Sequence, residues 1–180
     1  MSDQNSKTSK RVLNEHALNN ISKTLIFGYG NPDREDDGVS WHILKGIAEN
    51  FDIEFPDSCG EELIHNHAFL HFMFNLQLMP EMAYEMMNYK RICFVDAHTG
   101  ALQKDLNIQI LDRKFQNSPL THHMTPQTVL SILDTAFNHK PEAILVSVRG
   151  YQFGFSNSLS KKTEILSEQA VKEISSWITD

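Results

Sequence analysis

The residues of this sequence with the clearest chemical potential are acids and histidines that flank apolar segments. Two acids, Asp36 and Asp37, stand in a glycine-rich turn after the first apolar segment, and Asp96 ends a second one. A histidine pair, His122 and His123, comes shortly before a predicted helix. Carboxylate and imidazole groups bind divalent metals, including nickel, which ranks high among divalent cations in affinity. Two carboxylates and one histidine that met at one place would therefore form a metal site.

Each of these residues also has an ordinary structural interpretation. Asp36 or Asp37 can cap the start of the following helix, where acids also suit the helix dipole. An aspartate after a strand, such as Asp96, is often a turn residue. Adjacent histidines in a loop are often only solvated. The residues alone leave both interpretations open.

Three further histidines, His65, His67 and His71, form a second cluster in the sequence. His67 and His71 would share one face of a helix if this segment were helical. The spacing by itself is a weak indication of metal binding. Packing or solvation is therefore the favoured interpretation of this cluster.

Other catalytic chemistries find less support. Gly28 and Gly30 resemble the start of a dinucleotide-binding turn, but Asp33 stands in place of the third glycine. The acidic turn would also repel a pyrophosphate. No serine or cysteine lies convincingly beside a base and an orienting group: Cys93 falls inside a predicted strand, and Cys59 in a segment without a clear pattern. The sequence also lacks the HExxH pattern of zinc proteases.

Alternating strands and helices must position the candidate side chains. Three apolar runs, 24–30, 91–97 and 143–150, predict buried strands. Apolar residues at a spacing of four predict an amphipathic helix over 37–50. Strands that alternate with helices predict an α/β sandwich with a mostly parallel central sheet and helices on both faces. The carboxyl ends of parallel strands share one edge of the sheet, which would bring the acidic turn close to Asp96.

Three further helices are predicted from apolar periodicity. They cover 78–88, 125–138 and the chain from about residue 160. Thr125 can cap the second of them, with Pro126 in its first position. A stripe that runs from Ile165 to Ile178 predicts the buried face of the last helix.

The other segments fix the expected domain organisation. Residues 106–113 alternate and predict a strand nearer the edge of the sheet. The segment 52–75 has no clean period. Residues 1–22 are polar and predict a flexible N-terminal tail, which leaves 23–180 as a single α/β domain.

Composition excludes several classes of partner. The 180 residues carry 16 Lys and Arg against 23 Asp and Glu, a net charge of −7. No broad basic surface is therefore available for nucleic acid or an anionic membrane. Two cysteines suit a reducing compartment, and no signal peptide or apolar run of roughly 20 residues is present. These features predict a cytoplasmic protein without nucleic-acid or membrane partners.

Four segments carry glycine, aspartate and histidine motifs in a recognisable order. They are FGYGNPDREDDGV, QLMPEMAYEMMNYKRICFVDAHTG, THHMTPQTVLSIL and VSVRGYQFGFSNSLS. Together they resemble the nickel–iron hydrogenase maturation endopeptidases, with their Gly-x-Gly-Asn turn, their strand that ends in Val-Asp-Ala, their histidine segment and their late strand and loop. Four motifs in the same order over about 24–160 are more specific than any one of them.

The resemblance implies a three-layer α/β/α sandwich and a defined activity. Enzymes of this family remove a C-terminal extension from the hydrogenase large-subunit precursor after nickel has been loaded. Their two carboxylates and histidine fall by position on Asp37, Asp96 and His122, with His123 as the rival for the histidine. These residues are therefore expected to be catalytic and to hold the metal. Nickel is expected to arrive with the precursor, and other divalent metals can occupy the same site.

Two alternatives stay open at this point. The metal can be catalytic or only a recognition handle. The protein can cleave the precursor, or it can be a non-catalytic nickel-binding maturation chaperone that uses the same site. A monomer is the expected oligomeric state.

Overall fold

The computed structural model describes residues 23–58, 62–112 and 124–180. Its strands are β1 Thr24–Tyr29, β2 Glu62–His67, β3 Leu70–Asn75, β4 Arg91–His98, β5 Leu106–Ile110 and β6 Glu142–Arg149. Its helices are α1 Val39–Asn50, α2 Met82–Met86, α3 Pro126–Phe137 and α4 Lys161–Thr179, and a 3-10 turn, Glu35–Gly38, precedes α1. The tail predicted for 1–22 lies outside the described residues, so the division into a tail and one domain stays a prediction.

The strands form one six-stranded sheet in the order β2-β3-β1-β4-β6-β5. The four inner strands β3, β1, β4 and β6 run parallel. Both edge strands, β2 and β5, are antiparallel to their neighbours. The mostly parallel sheet predicted from the sequence is therefore confirmed, as is the edge position of 106–110.

Two apolar layers flank the sheet and confirm the three-layer α/β/α sandwich. On one face, Ile26 and Val95 pack with the buried sides of α1 and α4. On the other face, Phe27 and Phe94 pack with α2 and α3. Burying a side chain such as phenylalanine contributes about 1.5–3 kcal/mol to the free energy of folding. The two layers therefore hold the strands, and the side chains at their carboxyl ends, in place.

The predicted cap of α3 is confirmed, whereas the predicted apolar stripe of α4 is confirmed only in part. Thr125 caps α3 by accepting a hydrogen bond from the Thr128 amide at 3.2 Å, with Pro126 in the first position, as predicted. Ala170, Ile174 and Ile178 form the buried face of α4. Ile165, by contrast, is 57% exposed, so its place in the predicted stripe is wrong.

Within the segment 52–75, which has no clean period, residues 62–75 fold as a β-hairpin of β2 and β3. β3 lies between β2 and β1, and its residues are buried on both faces of the sheet. A strand buried on both faces has no alternation of apolar and polar residues, which is why β3 shows no period in the sequence. The helix predicted over 78–88 is shorter than expected and covers only Met82–Met86.

No helix among the described residues is both long enough and apolar enough to span a membrane.

Candidate active-site cleft

An open cleft of about 720 Å³ lies at the carboxyl ends of β1 and β4. Its polar lining includes Tyr29, Asp37 and Asp96. Its remaining walls come from the segment 76–80, from the start of α3 at 124–127 and from Leu145. The two acids singled out by the sequence therefore line one cavity, at the edge where parallel strands deliver functional groups.

Asp37 reaches the cleft from the 3-10 turn between β1 and α1. The backbone amide of Asn31 donates a hydrogen bond to Asp37 Oδ2 at 2.8 Å, which fixes the orientation of the carboxylate. Gly30 has a φ of +135°, and a Cβ atom at this position would overlap the backbone carbonyl oxygen of Asp37. Glycine is therefore needed here both for the backbone conformation and for the close approach of the turn that carries Asp37.

Asp96 is a half-buried residue near the carboxyl end of β4. The hydroxyl of Tyr29 donates a hydrogen bond to its carboxylate. Burial raises the pKa of Asp96 to about 7, and the negative charge of Asp37 acts in the same direction, although hydrogen bonds from Tyr29 and the Ala97 amide oppose the rise. Burial and the charge of Asp96 also raise the pKa of Tyr29. Near neutral pH the cleft thus holds a carboxyl group that is costly to ionise until a cation arrives.

The predicted helix-capping role of Asp36 and Asp37 is wrong. The residue before α1 is Gly38, and no side chain caps this helix. The buried carboxylate of Asp36 instead accepts hydrogen bonds from the amides of Tyr151, Gln152 and Ser160, and from the Ser160 hydroxyl, at 2.7–2.9 Å. Burial alone would raise the pKa of Asp36, but these donors outweigh it and lower the pKa below its ordinary value.

The two candidate histidines, His122 and His123, lie outside the described residues. Met124 and Thr125, which follow them directly in the chain, line the cleft. Within the described parts of the chain, no three His, Cys, Asp or Glu side chains are grouped closely enough to hold a metal ion. Among the described residues, the acids that line the cleft are therefore Asp37 and Asp96.

The second histidine cluster does not share a helix face. His65 and His67 belong to β2, whereas His71 belongs to β3, so the helical arrangement considered from the sequence is wrong. His71 Nδ1 lies 2.9 Å from the hydroxyl of Tyr89, and His67 is exposed. The packing interpretation therefore fits His71.

Cys93 lies within β4 and is fully buried. Burial raises the pKa of its thiol far above the ordinary value. A buried thiol of this kind is not nucleophilic, because the reactive species is the thiolate. Cys93 thus contributes packing, as the sequence predicted, and Cys59 lies outside the described residues.

Tyr29 is a cleft residue that sequence reasoning missed. It ends β1, and its side chain points to the same face as that of Phe27, whose ring centroid lies 6.0 Å from its own. Because Tyr29 stands between Gly28 and Gly30, the sequence pattern predicts only a turn residue at this position. The signal that could have identified Tyr29 is its hydroxyl at the end of β1, which is paired in parallel with β4, the strand that carries Asp96.

Comparisons with known proteins agree with this architecture. No family model matches the sequence, and no curated protein matches it. Solved structures do match. The [NiFe] hydrogenase maturation protease HycI from Thermococcus kodakarensis has a TM-score of 0.61 and 17% identity, over 92% of this chain and 98% of its own. The maturating endopeptidase HybD from E. coli has a TM-score of 0.59 and 16% identity, over 84% of this chain and 89% of its own.

A third match is the hydrogenase 2 maturation peptidase from Thaumarchaeota archaeon SCGC_AB-539-E09, with a TM-score of 0.54 and 16% identity over 84% of this chain and 95% of its own. At these identities the likeness establishes the fold. The chain therefore has the fold of the hydrogenase maturation proteases, and the resemblance noted in its motifs is confirmed at this level.

Proposed function

We propose that this protein is an endopeptidase that removes the C-terminal extension of the nickel-loaded large subunit of a nickel–iron hydrogenase in the cytoplasm. The observation that carries the proposal is the pair Asp37 and Asp96 in one cleft at the strand ends of this fold. Burial and the nearby charge of Asp37 make Asp96 costly to ionise, and a cation between the two carboxyl groups would relieve this cost. The motif order of the sequence and the fold of the solved maturation proteases support the same activity.

Three side chains of this protein would bind the nickel that the precursor carries. Asp37 and Asp96 supply oxygen donors, and His122 supplies an imidazole nitrogen, a ligand set that suits nickel. In the sequence His122 stands two residues before Met124, which lies in the wall of the cleft. The bound metal supplies polarisation of the scissile carbonyl or activation of a water molecule.

The remaining walls of the cleft fit a peptide substrate. The walls combine the amide side chains of Gln77 and Gln127 with apolar side chains, which are those of Leu76, Leu78, Met79, Met124 and Leu145. Such a surface can bind the side chains of an extended tail while the cleft stays open to the water that hydrolysis consumes. The protein's contribution is then to bind the tail beside the metal and to orient both.

Hydrolysis by water is favoured over an acyl-enzyme route. Cys93, the cysteine that the structure describes, is fully buried in the sheet, where neither substrate nor water reaches it. Among the residues that the structure describes, the polar side chains of the cleft are carboxyl, phenol and amide groups together with the Thr125 hydroxyl, which caps α3. These groups fit a site in which the two carboxylates bind a metal ion better than a site in which a serine or cysteine attacks the peptide.

Mass spectrometry of the intact precursor tests the proposal. Nickel-loaded large-subunit precursor incubated with this protein should lose the mass of its C-terminal extension, and nickel-free precursor should stay full length. Stable binding of the nickel-loaded precursor without any loss of mass would instead establish a non-catalytic maturation chaperone. Equal cleavage of both precursors would remove the role proposed for the metal.

The same assay distinguishes the two histidines. His122→Ala should abolish cleavage of the nickel-loaded precursor, and His123→Ala should leave it near the wild-type rate. The reverse result would move the imidazole ligand to His123. Equal activity of both variants would exclude a histidine of this pair from the site.

A further inference from the structure

The loop after β6 has the composition of a recognition surface. Residues 151–160 read YQFGFSNSLS and contain no charged side chain, although charged residues make up 22% of the whole chain. Tyrosine, serine, glycine and asparagine are the residue types that antibody loops use for binding. Depletion of charge together with enrichment in aromatic residues also distinguishes the centres of protein interfaces.

The tip of this loop presents an aromatic ring to solvent. Phe155 is 87% exposed, the highest exposure among the large hydrophobic side chains that the structure describes. The guanidinium carbon of Arg34 lies 4.5 Å from the centroid of its ring. Arginine and aromatic side chains are typical of the few residues that dominate binding energy at interfaces.

Hydrogen bonds to the acidic turn hold the loop in place. The amide of Glu35 donates to the carbonyl of Ser156 at 2.7 Å, and the amide of Ser156 donates to the carbonyl of Asp33 at 3.1 Å. Arg34 Nη2 donates to the carbonyl of Phe153 at 2.8 Å. The buried carboxylate of Asp36 binds both ends of the loop, as described above. A loop fixed in this way loses little conformational entropy when it binds a partner.

The turn that holds the loop also stores backbone strain. Glu35 has a φ of +50°, in the left-handed region that residues other than glycine seldom adopt. Its carboxylate accepts a hydrogen bond from the amide of Gly154 at 2.7 Å, next to Phe155. Strain of this kind persists only where surrounding contacts over-determine the backbone, and it concentrates at functional sites.

We propose that Phe155 and Arg34 form a docking surface for the folded body of the protein whose C-terminal tail enters the cleft. This inference rests on the proposed function. One turn, 33–37, carries both elements: Asp37 in the cleft and the residues that hold the loop. The matching surface on the partner is an apolar pocket for the phenyl ring, with carbonyl or carboxylate oxygens at its rim for the guanidinium group.

The test measures both binding and cleavage of the nickel-loaded precursor. Phe155→Ala should raise the Kd and the KM for the precursor by about tenfold or more and leave kcat within about twofold. The control is Tyr84→Ala, which removes another exposed aromatic ring. Tyr84 is 63% exposed and lies against Phe137 at the end of α3, whereas the cleft lies at its beginning. The control should change neither Kd nor KM.

The outcomes separate this inference from the proposed function. If wild-type protein cleaves the precursor and Phe155→Ala has an unchanged KM, the docking surface is wrong and the proposed function stands. If wild-type protein binds the precursor without cleavage and Phe155→Ala loses binding, the protease function is wrong and the docking surface stands. If wild-type protein neither binds nor cleaves the precursor, both are wrong.

Discussion

Asp36 and Asp96 are both withdrawn from solvent, yet their surroundings are opposite. Asp36 is surrounded by donors: three backbone amides and one hydroxyl reach its two oxygens. Asp96 receives a hydroxyl and one amide, and it faces a second acid, Asp37, across an open cleft. The pKa of Asp36 is lowered, whereas the pKa of Asp96 is raised to about 7.

The difference separates a structural carboxylate from one that is suited to bind a cation. The charge of Asp36 is already neutralised by fixed dipoles, so it needs nothing further and holds two loops together. The charge of Asp96 is left without adequate compensation in the protein itself. A residue of this kind is retained at a cost to stability, which is characteristic of sites built for function.

The largest stability effect is expected at Asp36. Asp36→Ala should lower the free energy of unfolding by about 3 kcal/mol, because four buried donors lose their acceptor. Chemical denaturation measures this difference. Because the pKa of Asp36 is lower in the folded protein than in the unfolded chain, the ionised carboxylate stabilises the fold at any pH above the ordinary value of about 3.9. This stabilisation should be lost as the pH falls from that value through the lower pKa of the folded state.

Asp33→Ala provides the matched control for this change. Asp33 lies in the same turn with its side chain exposed, so the control should stay within about 0.5 kcal/mol of wild type. A similar loss in both variants would mean that the turn, and not the Asp36 network, determines stability.

A smaller effect of opposite sign is expected at Asp96. Its folded-state pKa is about 7 and its ordinary value is about 3.9. Between these values the unfolded chain ionises while the folded protein keeps its proton, so wild-type stability falls as the pH rises through this window. The difference between these two pKa values corresponds to about 4 kcal/mol in full, and screening by the solvent of the open cleft reduces it to about half. Asp96→Asn should therefore exceed wild type in stability by about 2 kcal/mol at pH 8 and match it near pH 4.

Thermal unfolding of Asp96→Asn and wild type over this pH range checks the sign. A difference between the two proteins that does not depend on pH would show that Asp96 is not destabilising in its charged form. The contrast with Asp36 would then be lost.

The smallest effect is expected from removing the hydroxyl that orients Asp96. Tyr29→Phe should lower kcat/KM for the nickel-loaded precursor by about tenfold, because partners that orient a metal ligand commonly contribute that much. Tyr89→Phe is the control, since it removes a hydroxyl that contacts His71 outside the cleft. Equal losses in both variants would point to a general structural effect.

The architecture and the pairing of Asp37 with Asp96 were predictable from the sequence. Apolar runs marked three of the inner strands, and parallel strands bring their carboxyl ends to one edge by necessity. The family resemblance selected Asp37 for the site, but the role of Asp36 in binding the loop after β6 was not predictable. The two residues are adjacent and identical, and the partners of Asp36 lie 115 to 124 residues further along the chain.

The hairpin of β2 and β3 was missed for a related reason. Its inner strand is buried on both faces because an apolar layer covers each side of the sheet: Phe72 and Phe74 pack in one layer and Met73 in the other. This context belongs to the sheet as a whole. Ile165 was assigned to the core from its spacing alone, but the buried face of α4 runs along Ala170, Ile174 and Ile178. Periodicity identifies a helix more reliably than it identifies which turns of that helix are covered.

The cleavage rate of the Asp37→Asn variant tests most directly whether Asp37 belongs to the active site. Mass spectrometry monitors the cleavage of nickel-loaded precursor, and the melting temperature of the variant is measured alongside. Asparagine can still accept the hydrogen bond from the Asn31 amide, so the turn should keep its shape. We expect a rate at least about a hundredfold below wild type with an unchanged melting temperature. Cleavage at the wild-type rate would contradict it.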